Sequence, residues 1–297
     1  MEHFLDIQQL TRTDIERLLD RAGYFKDGGT GEGFPQHTLA QLFYENSTRT
    51  RVSFEMAAKN LGMRVINIDL AHSSEQKGES LDDTILNLRA MGIRYYVIRH
   101  SEENLVHGLA ERLHSHDIHF INAGDGKHAH PSQAMLDIMT ILTHKPELSS
   151  LKIVLVGNIR HSRVANSLQQ VLAKMGCGEF IMVAPPVWQP QTIFFGKVSD
   201  SLDESLEGAD VIIGLRVQRE RIAAGEEMDF EQYRQGYALT NERIQQLAKP
   251  DAIVMHPGPV NRGVEMDSEL VDSTCSKILE QVHHGVFMRM AILEALT

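Results

Sequence analysis

The chain has 297 residues, of which 42% are hydrophobic and 23% are charged, as in ordinary globular domains. This composition excludes a disordered, collagen-like or disulfide-scaffold protein, and the length favours two domains. A net charge of −11 argues against nucleic acid or a membrane surface as a partner. The sequence has no apolar run of ~18 residues and no signal-like N-terminus, so we expect a cytoplasmic protein. Its two cysteines, Cys177 and Cys275, fit a reduced compartment, and we expect both to be buried.

In chain order, short apolar runs alternate with longer runs of helical periodicity. The predicted strands are Leu39–Tyr44, Val65–Leu70, Tyr95–Arg99, Ile118–Asn122, Lys152–Val156, Phe180–Val183, Asp210–Leu215 and Ala252–Met255. The first predicted helix runs to Phe25, with Thr13 as its expected cap. Further helices are predicted over about 50–61, 80–91, 132–144, 162–175 and 276–296.

This alternation predicts an α/β fold with two doubly wound parallel-sheet domains and helices on both faces of each sheet. His144-Lys145-Pro146 interrupts the pattern, so we expect domains at residues 1–145 and 146–279. The long last helix, about 280–297, is expected to return to the first domain. Ligands in such folds bind beyond the carboxyl ends of the strands, so polar residues at those positions are the candidate functional residues.

The segment Ser47-Thr48-Arg49-Thr50-Arg51 follows a predicted strand and opens a helix. Its hydroxyls and arginines join the outward-pointing N–H groups and positive dipole end of that helix, an arrangement suited to phosphate. The alternative is a Ser/Thr helix cap followed by solvated arginines. A Walker-type GxxxxGK[ST] loop is absent from the sequence.

Other polar residues at strand ends are ambiguous when each is considered alone. Arg99 ends a strand, His130 precedes Pro131 at a helix start, and Lys77 lies in a polar loop. For Arg99 alone a solvated role is as good as a functional one, whereas for Lys77 and His130 alone a solvated or locally satisfied role is favoured. In the second half, Arg163 and Arg216 follow strands and would suit bidentate binding of carboxylates, or would simply be exposed.

Two further patterns do not predict ligand sites. Gly157 is the only glycine of its loop, so a dinucleotide fingerprint is lacking. His114, His116, His119 and His128 are close in sequence but lack zinc-ligand spacing, so we predict no metal site. We expect no cofactor.

Seven motifs in register resemble those of the aspartate/ornithine carbamoyltransferase family across nearly the whole chain. They are Ser47–Arg51, Gln76–Thr84, Arg99-His100, His130–Gln133, Arg163, Arg216-Val217-Gln218 and His256-Pro257-Gly258-Pro259. The resemblance implies that the first domain binds carbamoyl phosphate and that the second binds an amino acid. The implied carbamoyl phosphate contacts are Ser47, Thr48, Arg49, Thr50, Ser73, Arg99, His130, Gln133, Pro257, Gly258 and Pro259. The implied catalytic residues are Arg49, Thr50, Lys77, Arg99 and His130, and the implied aspartate contacts are Lys77, Arg163, Arg216 and Gln218.

Two motifs distinguish members of this family by substrate. Ornithine-specific members typically carry Ser-Met-Gly where this chain has Arg216-Val217-Gln218, and His-Cys-Leu-Pro where it has His256–Pro259. An arginine would attract the second carboxylate of aspartate and repel the ammonium group of ornithine. We therefore expect carbamoyl transfer to L-aspartate by direct attack through a tetrahedral intermediate. The alternatives are a carbamoyltransferase for ornithine or another amine, and a non-catalytic homologue that acts as an assembly subunit.

The resemblance also implies a homotrimer in which Ser73 and Lys77 reach into the site of a neighbouring subunit. A regulatory chain or another pathway enzyme is a possible partner, and the sequence does not decide this. The charged segment Arg219–Tyr237 is either a lid that closes with aspartate or a long surface loop.

Overall fold

The computed structural model describes residues 1–70, 78–217 and 228–297. The chain forms two compact units, the first of residues 1–136 and 283–297 and the second of residues 137–282. The helices in the described residues are α1 (Arg12–Lys26), α2 (Thr48–Asn60), α3 (Leu81–Ala90), α4 (Leu105–Arg112), α5 (Pro131–His144), α6 (Arg163–Met175), α7 (Leu202–Leu206), α8 (Phe230–Tyr237), α9 (Asn241–Leu247), α10 (Ser268–Val271) and α11 (Ile278–Glu294). The strands are β1 (Thr38–Phe43), β2 (Arg64–Asn67), β3 (Tyr95–His100), β4 (His119–Asp125), β5 (Lys152–Val156), β6 (Glu179–Val183), β7 (Lys197–Ser199), β8 (Val211–Gly214) and β9 (Ile253–Met255).

The first unit contains a parallel sheet with the strand order β2-β1-β3-β4. Its buried apolar side chains include Leu42, Tyr96, Ile98 and Phe120, which form one continuous core cluster. The N-terminal segment extends this sheet, because the Phe4 N–H donates to the Phe120 carbonyl (2.9 Å) beside β4.

The C-terminal end of α11 belongs to this first unit. The Arg21 guanidinium on α1 binds both carboxylate oxygens of Glu294, with Nη2 2.7 Å from Oε1. The predicted return of the last helix to the first domain is therefore confirmed.

The second unit contains a five-stranded parallel sheet with the order β7-β6-β5-β8-β9. Val154, Ile212, Val254 and Met266 are among the buried members of its core. In both units the pairings of these sheets are parallel, and helices connect most consecutive strands. The predicted α/β class with two parallel sheets is confirmed.

Several local predictions are wrong. Thr11, not Thr13, caps α1: the Thr11 hydroxyl accepts from the Asp14 N–H while the Asp14 carboxylate accepts from the Thr11 N–H. The sequence offers the same spacing at Thr13 and Glu16, but Glu16 binds Arg12 instead (2.8 Å).

Other differences concern the lengths of elements. The second strand ends at Asn67 rather than Leu70. Strand β7 was not predicted, since three residues are too short to show a periodicity. Cys177 is buried as expected, but Cys275 is only partly buried.

The segment predicted as a lid or surface loop is partly helical. Residues 219–227 lie outside the described residues, whereas Phe230–Tyr237 form α8, capped by Asp229. Tyr233 of this helix is buried against Trp188, with ring centroids 5.3 Å apart. This ring contact packs α8 onto its unit, which a purely exposed loop would not do. Among the described residues, no helix has both the length and the apolar character needed to cross a bilayer.

Candidate active site

Several predicted site residues follow strands at the points where the two sheets reverse their winding. In the first unit β1 lies between β2 and β3, and in the second β5 lies between β6 and β8. Loops leaving adjacent strands at such a point run to opposite faces of the sheet and leave a crevice at the carboxyl edge. This topology predicts a ligand crevice in each unit, next to Ser47–Arg51 and Arg99 in the first and to Arg163 and Arg216 in the second.

In the first unit, the start of α2 has features that favour an anion. Ser47 is its N-cap, but the Ser47 hydroxyl makes no capping hydrogen bond, in contrast to Thr11 on α1 and Ser80 on α3. The first turn holds no acidic side chain and carries Arg49 and Arg51. The unsatisfied N–H groups and the helix dipole are therefore left to an external anion.

Arg99 lies beside this terminus because β3 pairs with β1, with Arg99 in register with Phe43. Its Nε is 3.1 Å from Oε2 of Glu45, and the two side chains are only 15% and 21% exposed. A charge-assisted bond of this kind fixes the direction of the guanidinium. Sequence reasoning missed Glu45 as a contact, although it lies only two residues before Ser47.

His130 and Gln133 follow β4, the next strand of the same sheet. The turn between them and the strand is closed by a hydrogen bond from the Asp125 N–H to the Ala129 carbonyl (3.1 Å). The His130 carbonyl accepts from the Gln133 N–H (3.0 Å), and Pro131 begins α5. Both side chains are buried. The carboxyl ends of β1, β3 and β4 thus carry the Ser47–Arg51 segment, Arg99 and His130 in that spatial order.

In the second unit, Arg163 and Arg216 follow the adjacent strands β5 and β8. Ser162 caps α6 through the Ala165 N–H (3.1 Å), which places Arg163 in the first helical turn, where it is buried. Arg216 lies two residues past β8 and is half-buried. Two arginines that follow adjacent strands of one sheet are suited to a ligand with two carboxylates.

The His256–Pro259 segment follows β9, which pairs with β8. The His256 Nδ1 accepts from the Gly258 N–H (2.8 Å), and the peptide bond between Gly258 and Pro259 is cis. Gly258 has φ +70°, a conformation that glycine adopts without strain, which accounts for glycine between the two prolines.

A buried network holds this turn. The His256 N–H donates to Oε1 of Gln281 (3.1 Å), and the Gln281 amide donates to Oδ1 of Asp137 (2.6 Å). The His256 ring also lies 3.5 Å from Glu265, and both side chains are almost completely buried. Nothing in the sequence pattern indicated Gln281 or Glu265. The predicted site residues Ser73, Lys77 and Gln218 lie outside the described residues.

The chain thus has two α/β units, one with an uncapped, arginine-bearing helix start after β1 and the other with arginines after the adjacent strands β5 and β8. The chain belongs to the aspartate/ornithine carbamoyltransferase family: the carbamoyl-P binding domain of that family matches residues 2–143, and its Asp/Orn binding domain matches residues 149–296. The predicted family is thereby confirmed.

Individual relatives span the full length of the chain. The aspartate carbamoyltransferase catalytic subunit of Legionella pneumophila (strain Corby) is 55% identical over 296 residues, covering 100% of this chain and 99% of the relative. Aspartate transcarbamoylase from Trypanosoma cruzi, solved with carbamoyl aspartate and phosphate, has a TM-score of 0.87 at 29% identity, over 99% and 96% of the two chains. Ornithine carbamoyltransferase from Pyrococcus furiosus has a TM-score of 0.84 at 25% identity, over 98% and 96%.

Proposed function

We propose that this chain transfers the carbamoyl group of carbamoyl phosphate to the amino group of L-aspartate, giving N-carbamoyl-L-aspartate and phosphate for pyrimidine biosynthesis. Enzymes for aspartate and for ornithine share this fold, so the residues of the amino-acid site have to indicate which of the two substrates this chain uses. The observation that carries the proposal is the placement of two arginines after adjacent strands: Arg163 in the first turn of α6, which follows β5, and Arg216 two residues past β8. The full-length relatives named aspartate carbamoyltransferase catalytic subunit agree with this assignment.

The carbamoyl phosphate domain, for which we propose residues 1–145 and about 280–297, corresponds to the first unit. The phosphate oxygens accept hydrogen bonds from the first turn of α2 and from Ser47, Thr48 and Thr50. Arg49 neutralises the negative charge that grows on the phosphate as its bond to carbon breaks. Ser73 and Lys77 supply further contacts to the same group.

The carbonyl group of carbamoyl phosphate is polarised by Thr50, Arg99 and His130. The amine attacks the carbonyl carbon, and negative charge builds up on the carbonyl oxygen in the tetrahedral intermediate. Donors that are already in place stabilise this oxygen without having to reorganise. Glu45 holds Arg99 through its Nε, so we assign it a positioning role. Gln133 and the backbone carbonyls of Pro257 and Gly258, with Pro259 completing their turn, orient the amide nitrogen.

The aspartate domain, for which we propose residues 146–279, holds aspartate with Arg163, Arg216 and Gln218, assisted by Lys77. Each arginine can bind one carboxylate in a bidentate fashion, which fixes the direction of the amino group. Carbon–nitrogen bond formation and phosphate departure then depend on positioning and charge stabilisation, without a covalent enzyme intermediate. Sharing of Ser73 and Lys77 between subunits makes the active form a homotrimer, and we place it in the cytoplasm.

The test is to offer carbamoyl phosphate with aspartate, ornithine or putrescine separately and to identify the product by mass spectrometry. Carbamoyl-aspartate as the sole product is the expected result. Citrulline or carbamoyl-putrescine would refute the assignment of the two arginines to a dicarboxylate. A correctly folded oligomer that carbamoylates none of the three amines would favour a non-catalytic assembly subunit.

A further inference from the structure

Four titratable side chains meet near the carboxyl edge of the first sheet without any part in the proposed transfer. Asp6 lies in the N-terminal segment beside β4, and His107 lies on α4. Asp125 ends β4, and His128 lies in the turn that follows it. Three different parts of the chain therefore converge on one point of this unit.

The geometry of three of these residues fits a single small ion. Nδ1 of His128 is 3.0 Å from Oδ2 of Asp125. His107, Asp125 and His128 each offer one potential ligand atom, and these three atoms all lie within 4.8 Å of one another. The two imidazole rings have their centroids 5.6 Å apart, at an angle of 76°.

The other side of the His128 ring faces the fourth residue. Its Nε2 lies 3.3 Å from Oδ2 of Asp6. A histidine that binds a metal through one nitrogen commonly presents the other to a carboxylate, which orients the ring and makes it a stronger ligand. Asp6 has the right position for this second role.

The charge balance of the cluster also favours a cation. The Asp125 side chain is fully buried and that of Asp6 is 4% exposed. Neither carboxylate forms an ion pair with a lysine or arginine in the part of the chain that the structure describes. Among the described residues, the Nδ1 of His107 is likewise buried without a hydrogen-bond partner. A positive charge on His128 would offset only one of the two buried carboxylates, whereas a divalent cation would offset both.

Hydrogen bonds from neighbouring groups hold the Asp125 carboxylate in place. The Asn122 side-chain amide donates to Oδ1 (2.9 Å). The backbone N–H groups of Asn104 (2.7 Å) and Ala129 (3.1 Å) also donate to this carboxylate and fix its position. A carboxylate that is preorganised in this way is a suitable metal ligand.

We propose that His107, Asp125 and His128 bind a divalent transition-metal cation of the Zn²⁺ class, with Asp6 orienting the His128 ring. Metal–ligand distances of about 2.0–2.2 Å in a tetrahedral site place neighbouring ligand atoms roughly 3.3 Å apart, close to the separation of His128 and Asp125. Nitrogen and carboxylate ligands together suit zinc and its neighbours better than Mg²⁺ or Ca²⁺. The bound ion displaces the proton of the His128 Nδ1, so binding weakens as the pH falls.

Such an ion would connect the N-terminal segment, α4 and the turn between Asp125 and Ala129. The same turn leads directly to His130, so the metal would stiffen the element that presents this side chain. The proposal does not depend on the transfer reaction, because binding is measured without substrate.

The experiment uses the untagged full-length chain, stripped of metal with dipicolinate and kept reduced. Co²⁺ serves as a spectroscopic probe, and Zn²⁺ is titrated in a calorimeter at neutral pH. We expect one ion per chain, with the visible absorption bands of low-coordinate Co²⁺ and their loss when Zn²⁺ is added. His107→Ala should lower the affinity for Zn²⁺ at least tenfold, and Asp6→Asn should lower it by about 10–100-fold.

His114→Ala is the matched control, because His114 is exposed on the surface of the same unit outside the cluster. It should bind Zn²⁺ as the unchanged protein does. Cys275→Ser should do the same, which excludes a thiolate site. Absence of stoichiometric binding, or binding that His107→Ala leaves unchanged, would overturn the proposal. His107 is only half-buried, so its variant should fold, which circular dichroism and gel filtration would verify.

Discussion

Ser47 offers a direct test of whether the start of α2 is a ligand site or a helix cap. A cap stabilises its helix because its side-chain oxygen accepts a hydrogen bond from the first turn. Thr11 does this on α1, where its hydroxyl lies 3.1 Å from the Asp14 N–H. The Ser47 hydroxyl makes no such bond on α2. Replacement of Thr11 by alanine should therefore lower stability, whereas replacement of Ser47 by alanine should weaken ligand binding.

Thr11→Ala should lower the free energy of unfolding by about 1 kcal/mol, the usual cost of a lost cap. Ser47→Ala should change it by less than ~0.5 kcal/mol, as expected for a surface substitution that breaks no bond. If the Ser47 hydroxyl donates to a phosphate oxygen, its removal costs about 1.5–3 kcal/mol of binding. That loss corresponds to roughly 10–100-fold weaker binding.

The two quantities are measured separately for each variant. Urea denaturation followed by circular dichroism gives the stability, and the KM for carbamoyl phosphate, with phosphate as a product inhibitor, gives the affinity. Thr11→Ala should change only the stability, and Ser47→Ala should change only the affinity for carbamoyl phosphate and phosphate. Suppose that Ser47→Ala lowers stability by ~1 kcal/mol and leaves unchanged both the KM for carbamoyl phosphate and the inhibition constant of phosphate. Ser47 is then a structural cap, and the phosphate assignment fails.

Three further outcomes are expected. Arg216→Ala should raise the KM for aspartate about 10–100-fold, because a charge-assisted bond is lost. The KM for carbamoyl phosphate should stay unchanged. An unchanged KM for aspartate in steady-state kinetics would contradict the assignment of Arg216. Gly157→Ala should cost at least ~2 kcal/mol in urea denaturation, since φ is +138° and a Cβ would lie 2.8 Å from the Leu215 carbonyl oxygen. Gly176→Ala, with φ +79° and open space around it, is the milder control, and equal losses would contradict the steric argument. Burial raises the pKa of the Cys177 thiol to about 11. Alkylation of Cys177, measured in a Cys275→Ser variant, should therefore accelerate roughly tenfold per pH unit between about pH 8 and 10, because only the thiolate reacts. A rate that does not depend on pH would refute this expectation.

Much of the fold follows from patterns within short stretches of the sequence. Apolar runs such as Lys152–Val156 are strands in the structure with the predicted bounds, because a buried parallel strand must be continuously apolar. The hydroxyls and arginines of Ser47–Arg51 likewise needed only their position after a strand to indicate an anion site. Where two nearby residues offered the same capping chemistry, as at Thr11 and Thr13, the local pattern alone did not identify the correct cap.

The arrangement of the site depended on contacts between segments far apart in the chain. Arg163 and Arg216 follow adjacent strands only because β8 pairs with β5, and Glu45 meets Arg99 only because β3 pairs with β1. Gln281 supports the His256 turn from α11, and His107 approaches His128 from α4. No periodicity records these pairs, because side-chain periodicity reports which face of an element is buried and not which element covers it. Strand order and helix packing, which minimise exposed apolar surface over a whole unit, brought these polar groups together.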